Sequence, residues 1–265
     1  MKYLFKITTF TLLSSILNMT NAQNFVINKE YKSDNFNSRI RQIIIHYTVA
    51  DTERSFEELL GKDVHRAVSS HYLINNAISK KYPDIIYQLV PESKRSWHAG
   101  VSAWGSDSDL NNSSIGIEIV NKDGNLYPFT QQQIEALIFL VKQIKQRYAI
   151  KDINIIGHSD IAPSRKIDPG TLFPWKKLAK NGLSAWYDKS DIEYFTHRLK
   201  SVPDKEIVKQ SLIKYGYSFS AAPNDPELYR SIISAFQRHF RPNKVNGVMD
   251  LESYIILSAL IKKYR

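Results

Sequence analysis

The chain has 265 residues, 43% of them hydrophobic and 23% charged, with a formal net charge of +10 and no cysteine. That balance suits a globular protein with a sizeable core, long enough for two domains, and argues against general disorder. Without cysteine there can be no disulfide, no thiolate nucleophile, no cysteine-ligated zinc and no lipid attachment at a mature N-terminal cysteine.

At the start, Lys2 and Lys6 precede an apolar stretch from Ile7 to Leu17, followed by Thr20-Asn21-Ala22. This pattern predicts a secretory signal peptide over residues 1–22, cut after Ala22. The stretch is too short and too rich in Thr and Ser for a transmembrane anchor. Export without disulfides fits a bacterial periplasm or the medium. Setting Lys2 and Lys6 aside leaves a charge of +8, spread along the chain; from Ser190 onward twelve Lys/Arg face eight Asp/Glu. No basic arm is present, which argues against a nucleic-acid reader. The charge suits attraction to an anionic polymer or surface, or simply solubility.

A polar lead-in runs from Gln23 to about Asn37. Gln42 to Tyr47 is apolar on consecutive positions, as in a strand covered on both faces. Ser55 to Val68 reads as a helix interrupted around Gly61. Ser70 to Ile74, Ile85 to Val90 and Ser114 to Val120 read as strands. In the last of these, Ile115, Ile117 and Ile119 share one face, and Gly116, Glu118 and Val120 the other. Gln131 to Tyr148 is the clearest helix, with Thr130 and Gln133 forming a capping box and an apolar stripe of Ile134, Leu137, Ile138, Val141 and Ile144. Ile153 to Ile156 is a short strand leading into Gly157-His158. Beyond Trp186 only helical patterns remain: Ile192–Val202, Asp204–Tyr215, Pro226–Phe240 and Asp250–Lys263. The expectation is an α/β domain over residues 23–188, with a mixed central sheet flanked by helices, and a small all-helical domain with its own core over 189–265.

His46 and His158 both follow strand runs, where ligand sites form in α/β sheets. Asp168 lies ten positions after His158, across a loop rich in Pro and Ser. A His, His, Asp set leaves a tetrahedral position open, as in a catalytic zinc site. Taken singly, each histidine could equally be a core or surface residue. Glu118, set among isoleucines, is costly to bury without a partner or a task, and a base beside a metal site is such a task; a solvent-facing strand position is the alternative. Lys166 could stabilise an oxyanion or simply be solvated.

The stretches Ile45-His46-Tyr47-Thr48, Ser70-His71-Tyr72-Leu73-Ile74, Trp97-His98-Ala99-Gly100, Ser114-Ile115-Gly116-Ile117-Glu118, Gly157-His158-Ser159-Asp160-Ile161-Ala162-Pro163, Lys166-Ile167-Asp168-Pro169-Gly170 and Phe173-Pro174-Trp175 occur in order. Together they resemble the zinc-dependent N-acetylmuramoyl-L-alanine amidases of the amidase-2 type, related to peptidoglycan recognition proteins. Ala235-Phe236-Gln237-Arg238-His239-Phe240-Arg241-Pro242 and Asn246-Gly247-Val248-Met249-Asp250 resemble a helical peptidoglycan-binding module. The resemblance implies one zinc per chain on His46, His158 and Asp168, Glu118 as the base, and Lys166 as the stabiliser of the tetrahedral intermediate. The bond cut would join N-acetylmuramic acid to L-alanine in peptidoglycan or muropeptides. A non-catalytic peptidoglycan receptor on the same fold is the alternative. Trp97, His98, Ala99 and Trp104 are expected to line the substrate groove, although Trp97 could instead be a core tryptophan. His71 is read as structural, Trp175 and Trp186 as packing residues, and His65, His197 and His239 as surface or packing residues. Relatives are often lipoproteins, but Gln23 stands where the lipid-bearing cysteine would be needed. An exported monomer without membrane anchor or nucleic-acid partner is therefore expected.

Overall fold

The computed structural model describes residues 27–35, 38–62 and 67–265; the expected signal peptide, Gln23 and His65 lie outside them. Two units are distinguished, Met1–Asn37 and Ser38–Arg265. In the first, residues 27–35 are exposed chain with local side-chain turns at Asn28 and Ser33. All that follows concerns the second.

Its strands are β1 (Gln42–Tyr47), β2 (Tyr72–Ile74), β3 (Ile86–Gln88), β4 (Ser114–Ile119) and β5 (Ile155–Gly157), in the order β3-β2-β4-β1-β5. Only β2 and β3 pair antiparallel; β2–β4, β4–β1 and β1–β5 are parallel, so the sheet is mixed, as expected. The helices are α1 (Thr52–Leu59), α2 (Leu110–Ser113), α3 (Gln131–Tyr148), α4 (His158–Ile161), α5 (Trp175–Lys180), α6 (Lys189–Arg198), α7 (Lys205–Tyr215), α8 (Pro226–Phe240) and α9 (Leu251–Tyr264). Helix α1 begins earlier than its apolar pattern because the Asp51 carboxylate accepts from the Arg54 N–H at 3.1 Å. It stops before Gly61, whose φ of 70° turns the chain. The capping box of α3 is present: Thr130 Oγ1 accepts from the Gln133 N–H at 3.1 Å, and Gln133 Oε1 from the Thr130 N–H at 3.0 Å. No helix among the described residues is long and apolar enough to cross a membrane.

Alternation along β1 and β4 gives the sheet two apolar faces. Ile43, Ile45, Ile115, Ile117 and Ile119 pack with Ile134, Leu137, Val141 and Ile144 of α3, closed at one side by Phe173, Trp175 and Leu178. On the other face Ile44 and Ile156 share one cluster with Trp104 and Ile161, and with Leu212, Tyr215, Tyr217, Ile232, Phe236, Phe240 and Leu257 of the C-terminal region. The last seventy or so residues are thus helical, as expected, but their core is not their own. The physical reason is that β1 is apolar on consecutive positions, so its second face also needs a cover.

Motif residues in this region hold it together. Gln237 is buried, its Oε1 accepting from the N–H groups of Asn246 and Gly247 and its Nε2 donating to the Val248 carbonyl. Arg241 reaches Asp250 at 2.7 Å and Glu252 at 2.9 Å, joining the end of α8 to the start of α9.

Candidate metal centre and cleft

Parallel pairing of β1 and β4 sets His46 opposite Glu118, and pairing of β1 with β5 sets Ile45 opposite Gly157, so His158 follows immediately at the start of α4. Three neighbouring strands therefore deliver Glu118, His46 and His158 in a row at the carboxyl edge of the sheet. The loop after α4 returns Asp168 to the same edge, where its carbonyl accepts from the Ser159 N–H at 2.8 Å.

His46 Nδ1, His158 Nδ1 and Asp168 Oδ2 form a triangle with edges of 2.9, 3.1 and 3.1 Å. Neighbouring hydrogen bonds decide where the protons lie. His158 Nε2 faces the Ala99 carbonyl at 3.1 Å, so Nε2 carries the proton and, in the neutral ring, Nδ1 presents its lone pair. Ser114 Oγ donates to the Leu110 carbonyl and so accepts from His98 Nε2 at 3.2 Å. His98 Nδ1 is then the acceptor for His46 Nε2 at 3.0 Å, which leaves His46 Nδ1 unprotonated as well. Burial, reinforced by the surrounding histidines, holds His98 well below the usual imidazole range and so keeps it neutral. Burial, followed by the nearby His158, lowers His46 to about 4.

With both rings neutral, these tautomers bring two lone pairs and a carboxylate oxygen together, an arrangement that a cation satisfies. Ligand bonds of about 2.0 Å in a tetrahedron give edges of about 3.3 Å, close to those found, so the set fits a small four-coordinate ion. Gly116 makes room for this arrangement: a Cβ there would lie 2.4 Å from the His98 ring.

Glu118 lies beside the triangle. Burial first, then the Asp168 charge, raises its pKa to about 8 against the opposing pull of Lys166, and its Oε2 is buried without a hydrogen-bond partner. Lys166 and Trp97, the latter 55% exposed, line the cleft together with Glu118, His98, His158 and Asp168. Trp97 is therefore a wall of the cleft and not a core tryptophan.

Two other expected groove residues sit elsewhere. Ala99 is fully buried behind the site, where its carbonyl orients His158. Trp104 is only 3% exposed and stands edge-on to Tyr215 and Tyr217, its indole N–H donating to Asn154 at 3.3 Å; it belongs to the core under the C-terminal helices. His71 is structural: its Nδ1 accepts from the Gly116 N–H at 3.0 Å and its Nε2 donates to the Lys94 carbonyl at 3.1 Å. His197 is exposed. His239 is buried and bonded to Asp160, a residue whose part in the fold sequence reasoning did not single out.

The sequence profile of the N-acetylmuramoyl-L-alanine amidase family matches residues 36–171. Over 237 residues the chain is 44% identical to the N-acetylmuramoyl-L-alanine amidase AmiD of Escherichia coli, covering 85% of this chain and 84% of that one. The chain belongs to this amidase family. Among solved structures, this amidase resembles E. coli AmiD in complex with anhydro-N-acetylmuramic acid-L-Ala-D-gamma-Glu-L-Lys, at a TM-score of 0.80 and 40% identity over 90% of this chain and 95% of that one. It also resembles AmpDh3 of Pseudomonas aeruginosa, at a TM-score of 0.84 and 36% identity over 91% of this chain and 98% of that one. Both likenesses extend well beyond residue 171, so the amidase shares with these proteins its C-terminal helices as well as its sheet.

Proposed function

We propose that the amidase hydrolyses the amide bond between N-acetylmuramic acid and L-alanine in peptidoglycan or its fragments, with one zinc ion held by His46, His158 and Asp168. The observation that carries this reading is the convergence of His46 Nδ1, His158 Nδ1 and Asp168 Oδ2 within about 3 Å of one another, in a cleft also lined by Glu118, whose Oε2 is buried without a partner. Two nitrogen donors and one oxygen suit zinc better than magnesium or calcium, which take more oxygen ligands. Bound there, zinc supplies Lewis acidity that makes water a nucleophile near neutral pH and polarises the scissile carbonyl.

The chain's own groups supply the rest. Glu118 takes the proton of the attacking water and passes it to the departing alanine amine; burial raises its proton affinity, and the charge of a bound cation would favour the ionised form that accepts the proton. Lys166, on the lip of the cleft, offers a positive charge to the oxyanion that develops on the carbonyl. The open face of Trp97 gives a sugar ring or stem peptide an apolar surface to rest on. The C-terminal helices, by resemblance, add contacts to the wall polymer, and the lysine-flanked apolar leader directs export to the periplasm.

A muropeptide receptor that binds without cutting would not need Glu118 and Lys166 beside the metal set. Digestion of purified sacculi followed by mass spectrometry tests the reading. Stem peptides beginning with a free L-alanine should appear, vanish on chelation and return with added zinc. Undiminished release by a preparation verified as metal-free would overturn it.

A further inference from the structure

The turn that carries His158 is gripped from below by the C-terminal helices. Asp160, two residues after His158, is 1% exposed, and all its hydrogen bonds point inward. Its Oδ2 accepts from the Gly157 N–H at 2.8 Å, fixing the Ile156–Gly157 peptide just ahead of His158. The same oxygen accepts from His239 Nδ1 at 2.8 Å, and Oδ1 accepts from the Tyr217 hydroxyl at 2.7 Å. His239 belongs to α8 and Tyr217 follows α7, so two separate parts of the C-terminal region meet on one carboxylate.

Nothing around this junction is loose. The His239 ring stacks between Trp175 at 3.8 Å and Phe240 at 4.0 Å. A Cβ on Gly157 would lie 2.6 Å from Pro169 and 3.3 Å from Trp175, so the turn has no room to slide. Ser159, between His158 and Asp160, donates its N–H to the Asp168 carbonyl at 2.8 Å and thereby ties the third ligand to the same turn.

We propose that Asp160, Tyr217 and His239 are positioning residues for the metal centre. Through Asp160, the C-terminal helices set the placement of His158 and Asp168, making this region part of the active-site scaffold as well as a cover for the sheet. The inference rests on the metal reading above. Its physical basis is that ligand atoms bind an ion well only when held in place before it arrives, and that groups supporting the ligands tune affinity.

The test uses the full chain with zinc alone and cobalt(II) alone, in competition with a chromophoric chelator. Tyr217→Phe removes one hydroxyl and keeps the ring that packs on Trp104. It should weaken zinc binding roughly fivefold to tenfold and shift the visible bands of the cobalt protein. His239→Leu should weaken zinc more, by about tenfold or above, while His239→Asn, which keeps a donor, should fall between that variant and wild type. If His239→Leu does not fold, Tyr217→Phe and His239→Asn decide the matter. Wild-type zinc affinity and an unchanged cobalt spectrum in those two variants, even with lowered melting temperatures, would show that the junction merely fastens helices to sheet. A wild-type chain that takes up neither metal overturns the metal reading and this inference with it.

Discussion

Two buried carboxylates eight residues apart, Asp168 and Asp160, each lie about 3 Å from a histidine nitrogen, yet they serve opposite purposes. Around Asp160 donors are plentiful: a tyrosine hydroxyl, a backbone N–H and an imidazole N–H satisfy both oxygens. Around Asp168 the facing nitrogens of neutral imidazoles are acceptors, because the single ring protons are committed to Ala99 and to the His98–Ser114 chain. Residue type and burial are nearly the same in the two clusters. What separates a site built for a cation from a closed structural junction is the count of protons available between the polar atoms.

Exchanging each carboxylate for a methyl group breaks the comparison most directly. Asp168→Ala should abolish zinc uptake and with it all activity, and the stabilisation by zinc, about 2.7 kcal/mol at a hundredfold excess over Kd, should vanish from melting curves. Without metal this variant should lose less stability than the corresponding change at Asp160, since it strands no hydroxyl or backbone donor. Asp160→Ala should instead lower the stability of the metal-free protein by about 3 kcal/mol, because it strands the buried donors of Tyr217 and His239. Denaturation in the presence of chelator reads both, and equal losses would mean that the two clusters are alike after all.

Glu118→Ala should keep zinc and lose about a hundredfold or more in turnover, the scale of a positioned general base. Metal analysis beside single-turnover rates separates it from a ligand; zinc loss in this variant would make Glu118 part of the metal set. Glu118→Gln gives a smaller effect with a definite sign. In the metal-free chain the folded carboxyl titrates near 8 and the unfolded one near 4.5, so folding binds an extra proton between those values. Wild-type stability is therefore full below pH 4.5 and declines as pH rises toward 8, whereas glutamine does not titrate. The variant should match wild type near pH 4 and exceed it by about 1–3 kcal/mol at pH 9 in chelator. A constant difference across that range would mean that Glu118 is ionised in the ordinary way. The smallest effect is expected at the rim: Trp97→Ala should raise KM severalfold and leave zinc content and kcat near wild type, because the ring touches the cleft and no ligand.

The sheet and the chemistry above it were legible in the sequence where the signal is local. Strand β1 and helices α3 and α8 match their apolar patterns residue for residue, since each is a contiguous run facing a core. Strand β2 is shorter than the expected Ser70–Ile74 because the side chains of Ser70 and His71 occupy the Gly116 backbone groups. Trp104 misled because it sits among serines, glycine and aspartate, the composition of a surface loop. Its burial comes from a chain crossing more than a hundred residues later, where a Cβ on Gly216 would lie 2.7 Å from the indole. The partners of Asp160 are 57 and 79 positions away, too remote for any periodicity to report.

The shared core also bears on how the chain reaches its native state. Ile44 and Ile156 are made early, but Phe236, Phe240 and Leu257, which cover them, are made last. Until those residues emerge, the Ile44 and Ile156 patch of a largely parallel sheet lacks much of its cover. Parallel pairings between distant segments are slow to form, and an uncovered apolar sheet is prone to associate with other chains. A chain ended at residue 188 should keep its ligands but leave the Ile44 and Ile156 patch without that cover. Seating Phe236, Phe240 and Leu257 on that patch is therefore the step that takes its apolar surface out of water.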